Sequence, residues 1–435
     1  MSEIQKKSDI IGIYCDKIVK EIFLEIEGFK ERDMIIEDII KELAVPTESK
    51  IVLLVADGIG DLPSKEGKTV LEYADIPNLD QMAARSVCGL TDPISRGITP
   101  GSGPAHLSLF GYDPIKYQIG RGVLEALGID IELTADDLAC RGNFATIDDN
   151  GVIIDRRAGR ITTETNQKIC SLLQENITVI DDVKVIIKPG KEHRFVVVFR
   201  GKELKDGISD ADPQVTGKKI KYAQALKPES EESARIVNRF IEKALEVLKD
   251  QHPANAILLR GIAKHPGLPS MNELFKIKPA AIATYPMYRG LAKLVGMDVM
   301  DTGETIADEF NTLKEKYQQY NFFYVHIKKT DSYGEDGNYD AKVKVIEELD
   351  HYIPELVKLD PDVLVITGDH STPAALAAHS WHPNPFLLYS RYIRVDDVKH
   401  FSENEFVRGG LGRFPAMEAI RLMLANALKL NKYGA

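Results

Sequence analysis

Three short apolar runs each lead into a side chain able to bind a cation. Ile51–Ala56 (IVLLVA) ends at Asp57, Phe322–Ile327 (FFYVHI) runs through Lys-Lys-Thr to Asp331, and Val363–Thr367 (VLVIT) runs through Gly368 to the pair Asp369-His370. Carboxylates brought to one place repel each other, and their pKa values rise unless cations neutralise them. A mixed Asp/His set suits Mn²⁺, Zn²⁺, Co²⁺ or Mg²⁺. The competing reading gives each acid a local task, capping a helix or closing a turn. Downstream, His379 and His382 (HSWHP) are either further ligands or turn residues. Ser102 stands between glycines in TPGSGPAH, just before a helical-looking stretch. A hydroxyl there can meet a phosphate at a helix N-terminus, and cation coordination would activate it as a nucleophile without a histidine base. The alternative is an ordinary loop serine.

A second group points to an anion. Arg156, Arg157 and Arg160 (DRRAGR) cluster, and His193-Arg194 follows on a later segment. Arginine forks match carboxylate and phosphate geometry, although a solvated charged face is the commoner use of such runs. Two nucleotide-like patterns fail. Gly67-Lys68-Thr69 lacks the upstream glycine of a P-loop, where Leu62 stands, and Gly58-Ile59-Gly60 meets Pro63 where a dinucleotide fingerprint needs its third glycine.

The elements that must position these residues are of two kinds. Continuous apolar runs followed by acidic residues read as strands buried on both faces. They alternate with helical patterns at 288–294, 305–320, 341–359 and 415–430, which predicts an α/β fold with a parallel sheet sandwiched by helices. The carboxyl ends of such strands are where ligands bind. Between them, 141–157 reads as a hairpin around Asp149-Asn150-Gly151, and 183–200 as another around Pro189-Gly190. A polar loop at 201–222 and a helix at 231–249 follow. The expected organisation is therefore a discontinuous core, 49–116 and 280–435, with an inserted α+β domain at 117–279. Residues 1–48 form an N-terminal extension with two amphipathic helices broken at Gly28. Repeats and low-complexity tracts are absent.

Composition narrows the partners. Across 435 residues, 66 acidic side chains against 55 basic ones give a net charge of −11, which disfavours coating nucleic acid or an anionic membrane. No apolar run reaches the ~18–20 residues of a membrane span, and the charged N-terminus does not read as a signal peptide. Cys15, Cys88, Cys140 and Cys170 are scattered without a C-x-x-C pair. A reducing, cytoplasmic setting is expected.

Together, LLVADGIGD, TPGSGPAHLSLFGYDP, RGNFATID followed by DRRAGR, and TGDHSTP followed by HSWHPNP resemble the archaeal-type 2,3-bisphosphoglycerate-independent phosphoglycerate mutases of the alkaline phosphatase superfamily. The motifs keep their order from about residue 50 to 430, and the first ~45 residues look like an extension. The resemblance implies an alkaline-phosphatase-like core and two divalent cations, Mn²⁺ first with Mg²⁺, Co²⁺ or Zn²⁺ as substitutes. It implies no need for 2,3-bisphosphoglycerate. Ser102 matches the nucleophile that becomes phosphoserine. Asp57, Ser102, Asp369 and His370 match the ligands of one cation, and Asp331 and His379 match two ligands of the other. The substrate would be a phosphoglycerate, reached by Arg156, Arg157, Arg160, His193 and Arg194, with the insert closing to exclude water. A homo-oligomer is compatible with this family.

One position departs from the motif. D-x-x-G-H-D-G carries a histidine where this chain has Glu335 in Asp331-Ser-Tyr-Gly-Glu335-Asp-Gly. Glutamate is a harder ligand, so the expectation is a retained second site with its preference shifted away from zinc; the alternative is a weakened second site and a drifted activity. The readings set beside mutase activity are a phosphomonoesterase or kinase-like phosphotransferase on the same scaffold, and a degenerate member with an assembly role.

Overall fold

A computed structural model of the chain describes residues 36–434; of the two helices expected across 8–43, the first lies outside the described residues and the second is helical over its described part, 36–43. Strands β1 (Ile51–Ala56), β2 (Val87–Asp92), β9 (Pro279–Ile282), β10 (Asp298–Val299), β11 (Phe322–Ile327), β12 (Val363–Thr367), β13 (Asn384–Ser390) and β14 (Gly412–Pro415) form one sheet in the order β10-β9-β11-β1-β12-β13-β2-β14. A second sheet, β4-β3-β7-β6-β5 with β8 also paired to β3 on the edge away from β7, uses β3 (Asp137–Ile147), β4 (Ile153–Asp155), β5 (Val179–Ile180), β6 (Val183–Pro189), β7 (Arg194–Arg200) and β8 (Ala256–Lys264). The helices that matter for the site are α1 (Ser102–Leu109), α2 (Arg121–Gly128), α3 (Thr163–Asn176), α4 (Glu231–Leu248), α5 (Pro286–Leu294), α6 (Lys329–Glu335) and α7 (Tyr339–Lys358).

Every residue of β1, β11 and β12 is buried. Strand side chains alternate between faces, so an unbroken apolar strand needs cover on both. Ile51, Leu53 and Val55 pack with Leu107 of α1, Val123 of α2 and Leu291 of α5. Val52, Leu54 and Ala56 pack on the opposite face with Ile346, Leu349 and Ile353 of α7. The sheet is not wholly parallel: β13 runs antiparallel to both β12 and β2, whereas β1 is parallel to β11 and β12.

The second sheet is antiparallel in all its pairings. One face packs on α3 and α4 through Val197, Phe199, Leu173 and Phe240. Its other face contributes Ala139, Val196 and Val198 to the apolar cluster that also holds α2 and the main sheet. Helix α2 thus lies between the sheets. It meets α5 at very short range, because a Cβ at Gly290 would strike the Leu124 carbonyl and one at Gly128 the Pro286 carbonyl. No helix among the described residues is long and apolar enough to cross a membrane.

Candidate active site

The loops leaving β1, β12 and β11 converge, as the carboxyl ends of parallel strands do. Asp57 directly follows β1, and the chain turns at Gly58 with φ +61; a Cβ there would lie 2.5 Å from Thr372 Oγ1 and 2.7 Å from Asp331 Oδ1. Only glycine fits both the backbone and the space. The Gly58 N–H donates to Asp369 Oδ1 at 3.1 Å, which ties the first ligand loop to the second. Ser102 is the first residue of α1; Pro104, in the first turn, sits where a missing N–H costs nothing.

Ligand atoms of Asp57, Asp369 and His370 lie within 4.8 Å of one another, as do those of Asp331, His370 and His379. In the first group, His370 Nε2 is 3.4 Å from Asp57 Oδ1, 3.2 Å from Asp369 Oδ2 and 3.2 Å from Ser102 Oγ. Asp57 Oδ1 and Asp369 Oδ2 are buried and have no hydrogen-bond donor. Buried acceptors are rarely left so, and two carboxylate oxygens, an imidazole and a hydroxyl facing one point are the donor set of a divalent cation. In the second group, His379 Nδ1 donates to the Pro100 carbonyl at 3.0 Å, which leaves Nε2 3.6 Å from Asp331 Oδ1 and 3.7 Å from Glu335 Oε1. Glu335 lies one helical turn beyond Asp331 on α6 and is exposed, outside the compact group. The residues present fit two cations.

The charges are balanced from behind. Asp57 Oδ2 accepts from the Tyr288 hydroxyl and from Lys328 Nζ at 3.0 Å, and His326 Nε2 lies 3.3 Å away. Burial pushes the Asp57 carboxyl up, but the adjacent His326 imidazole and the charges of Lys328 and His370 outweigh it and hold it well below the usual range. Burial and the neighbouring Asp57 raise Asp369, and His370 and His106 bring it below its ordinary value. Lys328 also pairs with Asp331 Oδ2. Burial works against its charge, yet Asp57 and Asp331 raise its pKa above the lysine value.

The predicted arginines meet elsewhere. Arg156, Arg157, Arg160, His193 and Arg194 line one cavity of about 210 Å³ on the second sheet, together with Arg141, Asn143, Glu192 and Arg260. Arg156 is held by a bidentate pair with Asp212, at 3.3 and 2.6 Å. Buried Nε atoms of Arg141, Arg194 and Arg260 have no acceptor. Burial, then the adjacent Arg194, pushes the His193 imidazole down to about 4. Such a surplus of guanidinium donors fits an anion. None of these residues belongs to the two cation groups.

Sequence reading passed over Arg141 and Arg260, each embedded in a strand, and Lys328. The signal for Lys328 is its place, immediately after β11 and three residues before Asp331. Arg141 opens RGNFATID, and Arg260 interrupts the apolar start of β8.

The profile of 2,3-bisphosphoglycerate-independent phosphoglycerate mutase matches residues 83–255. A Thermosipho africanus protein named "Probable 2,3-bisphosphoglycerate-independent phosphoglycerate mutase" is 58% identical over 399 residues, 92% of this chain and 99% of its own. Among solved structures, a Pyrococcus horikoshii protein aligns at TM-score 0.76 and 32% identity, covering 89% of this chain and 99% of that one. The cofactor-independent phosphoglycerate mutase of Thermoplasma acidophilum aligns at TM-score 0.70 and 31% identity, covering 87% of this chain and 100% of that one. With near-complete coverage at this identity, the chain belongs to the 2,3-bisphosphoglycerate-independent phosphoglycerate mutase family.

Proposed function

We propose that the chain interconverts 3-phosphoglycerate and 2-phosphoglycerate without 2,3-bisphosphoglycerate, through a phosphorylated Ser102. The observation that carries this reading is the convergence of Ser102 Oγ and the donorless Asp57 and Asp369 oxygens on His370 Nε2, in a chain of this family. Asp57, Ser102, Asp369 and His370 would hold one divalent cation, and Asp331, Glu335 and His379 the other. When bound, the cations, Mn²⁺ first, supply Lewis-acid charge and lower the pKa of the serine hydroxyl.

Ser102 Oγ gives up its proton and bonds to phosphorus as the bond from phosphorus to the glycerate oxygen breaks, and that oxygen takes up a proton. The freed glycerate, held through its carboxylate by arginines of the second sheet, would reorient; its other hydroxyl then loses its proton and bonds to phosphorus as the Ser102 O–P bond breaks and the serine is reprotonated. Lys328 keeps positive charge beside Asp57 and Asp331 while negative charge passes between oxygens. We place residues 117–279 as the unit that brings the arginine cavity over Ser102 and shields phosphoserine from water. What supports this division is that Arg194 on β7 and Arg156 and Arg157 in the turn after β4 belong to a sheet of their own, joined to the main sheet across α2 and α5. A cytoplasmic setting accords with the scattered cysteines; among the described residues Cys88, Cys140 and Cys170 are buried free thiols.

The test is a coupled enolase assay with 3-phosphoglycerate and Mn²⁺, without bisphosphoglycerate, measuring free phosphate in parallel. Formation of 2-phosphoglycerate with little phosphate is the expected result. Phosphate release alone would make the chain a phosphatase, and neither product would remove the reading.

A further inference from the structure

We propose that Thr372 is a positioning residue that couples the two cation sites through its hydroxyl; the proposal rests on the two-cation reading above. Thr372 is completely buried. Its Oγ1 donates to Asp331 Oδ1 at 2.6 Å and lies 3.0 Å from His370 Nδ1. A hydroxyl carries one hydrogen and a carboxylate only accepts, so the second bond must run from His370 Nδ1–H to Oγ1. In the neutral ring that leaves the lone pair on Nε2, the nitrogen that faces Asp57, Asp369 and Ser102. One hydroxyl therefore decides which His370 nitrogen can bind a cation at the first site. The same hydroxyl engages the Asp331 oxygen that lies 3.6 Å from His379 Nε2 at the second.

The surroundings hold this side chain still. The Thr372 N–H donates to the Gly60 carbonyl at 3.1 Å, and its carbonyl accepts from Lys342 Nζ at 2.9 Å. Lys342, itself completely buried, also donates to the Gly60 carbonyl at 3.2 Å and to Asp61 Oδ2 at 2.9 Å. Gly58 and Gly334 press on Thr372 where no Cβ would fit. The hydroxyl of Thr372 thus joins two ligand-bearing segments, and its backbone is tied to the Gly60 loop and to Lys342 of α7. A residue that merely filled space would be replaced without loss by valine, which has the same shape and no hydroxyl.

Mn²⁺ binding, followed by the electron paramagnetic resonance of the free ion, tests the coupling on the full chain. The wild type should bind two ions. Thr372→Val should weaken both by about ten- to a hundredfold, the usual loss when a partner behind a ligand is removed, and Thr372→Ser should stay close to wild type. Asp331→Asn should weaken the second site most. Thr372→Val binding both ions as the wild type does, or losing affinity at one site alone, overturns the coupling. The ¹⁵N shifts of His370 in the metal-free protein, under mildly alkaline conditions, should show the hydrogen on Nδ1 in the wild type and Thr372→Ser, and on a mixture of nitrogens in Thr372→Val. Wild type binding fewer than two Mn²⁺ removes the two-cation reading; the hydrogen on Nε2 in wild type overturns the Thr372 assignment.

Discussion

The two charged regions of this molecule are built by opposite rules. The carboxylates of the cation cluster are buried beyond the ends of buried strands, each with a fixed partner: Asp57 with Tyr288 and Lys328, Asp369 with Gly58, Asp331 with Thr372. The arginine cavity gathers like charges from strand ends and loops of the second sheet, and Arg157 and Arg160 there are exposed. Preorganisation is valuable where charge develops during reaction. A surface that must admit, turn and release a small anion needs donors in excess and room to move. The difference teaches that the candidate cation groups and the arginine cavity occupy separate layers, so under the proposed function each should fail in its own way.

The largest effect should come from the cation side. Ser102→Ala should lower kcat by about a thousandfold or more, the scale seen when a nucleophile is lost. Turnover within tenfold of wild type would break the assignment. Arg157→Ala should instead raise KM for 3-phosphoglycerate by about tenfold, as expected for one charge-assisted contact, with kcat changed less. An equal fall in kcat at unchanged KM would show that capture and catalysis are not separable.

Mn²⁺ at about a hundred times its dissociation constant should stabilise the wild type by about 2.7 kcal/mol per independent site, read as a rise in Tm. Asp369→Asn should lose about half of that rise, one site's share, and Arg157→Ala should keep it. Chelation should return the wild type to the lower Tm.

A smaller effect should come from pH. His193 titrates normally near 6.5 but is pushed down to about 4 by burial and Arg194. The unfolded chain then binds the extra proton between those values, so stability is complete above 6.5 and is lost as pH falls toward 4. His193→Gln should flatten most of that loss, measured by urea midpoints across the window. An unchanged slope would mean that this histidine does not feel the arginines. The smallest signal belongs to Trp381, the chain's single tryptophan, which is 51% exposed just beyond His379. Closure of residues 117–279 over the site should shift its emission to the blue on adding 3-phosphoglycerate, and no shift would argue against cover reaching that loop.

The core of the site was legible because its strands are apolar throughout: β1, β11 and β12 stand at the predicted residues, and Asp57 and Asp369-His370 follow directly. Both hairpins, β3–β4 and β6–β7, were marked by their turn residues. Strands β2, β8, β9 and β14 were not, since glycine, arginine or proline breaks their patterns and pairing partners distant in sequence decide their state. The antiparallel direction of β13 has no local signature either. Arg156, Arg157 and Arg160 were found as a run, whereas Arg141 and Arg260 reach the same cavity across the β3–β8 ladder, where they are paired. Thr372, Lys328 and Lys342 escaped for a related reason. Their types are common, and only the meeting of three loops gives them a task.

Strand β1 has its neighbours, β11 and β12, far along the chain, with Ile51 paired to Phe322 and Val363. During synthesis at about 5–20 residues per second, β1 must wait roughly 14–54 s before β11 emerges. The second sheet, β3 to β8, is complete within that interval. The order of birth is therefore capture surface first and reactive centre last. A nascent chain stalled before β11 would carry the arginine cavity beside an unpaired apolar strand, a species that needs a chaperone and has no chemistry.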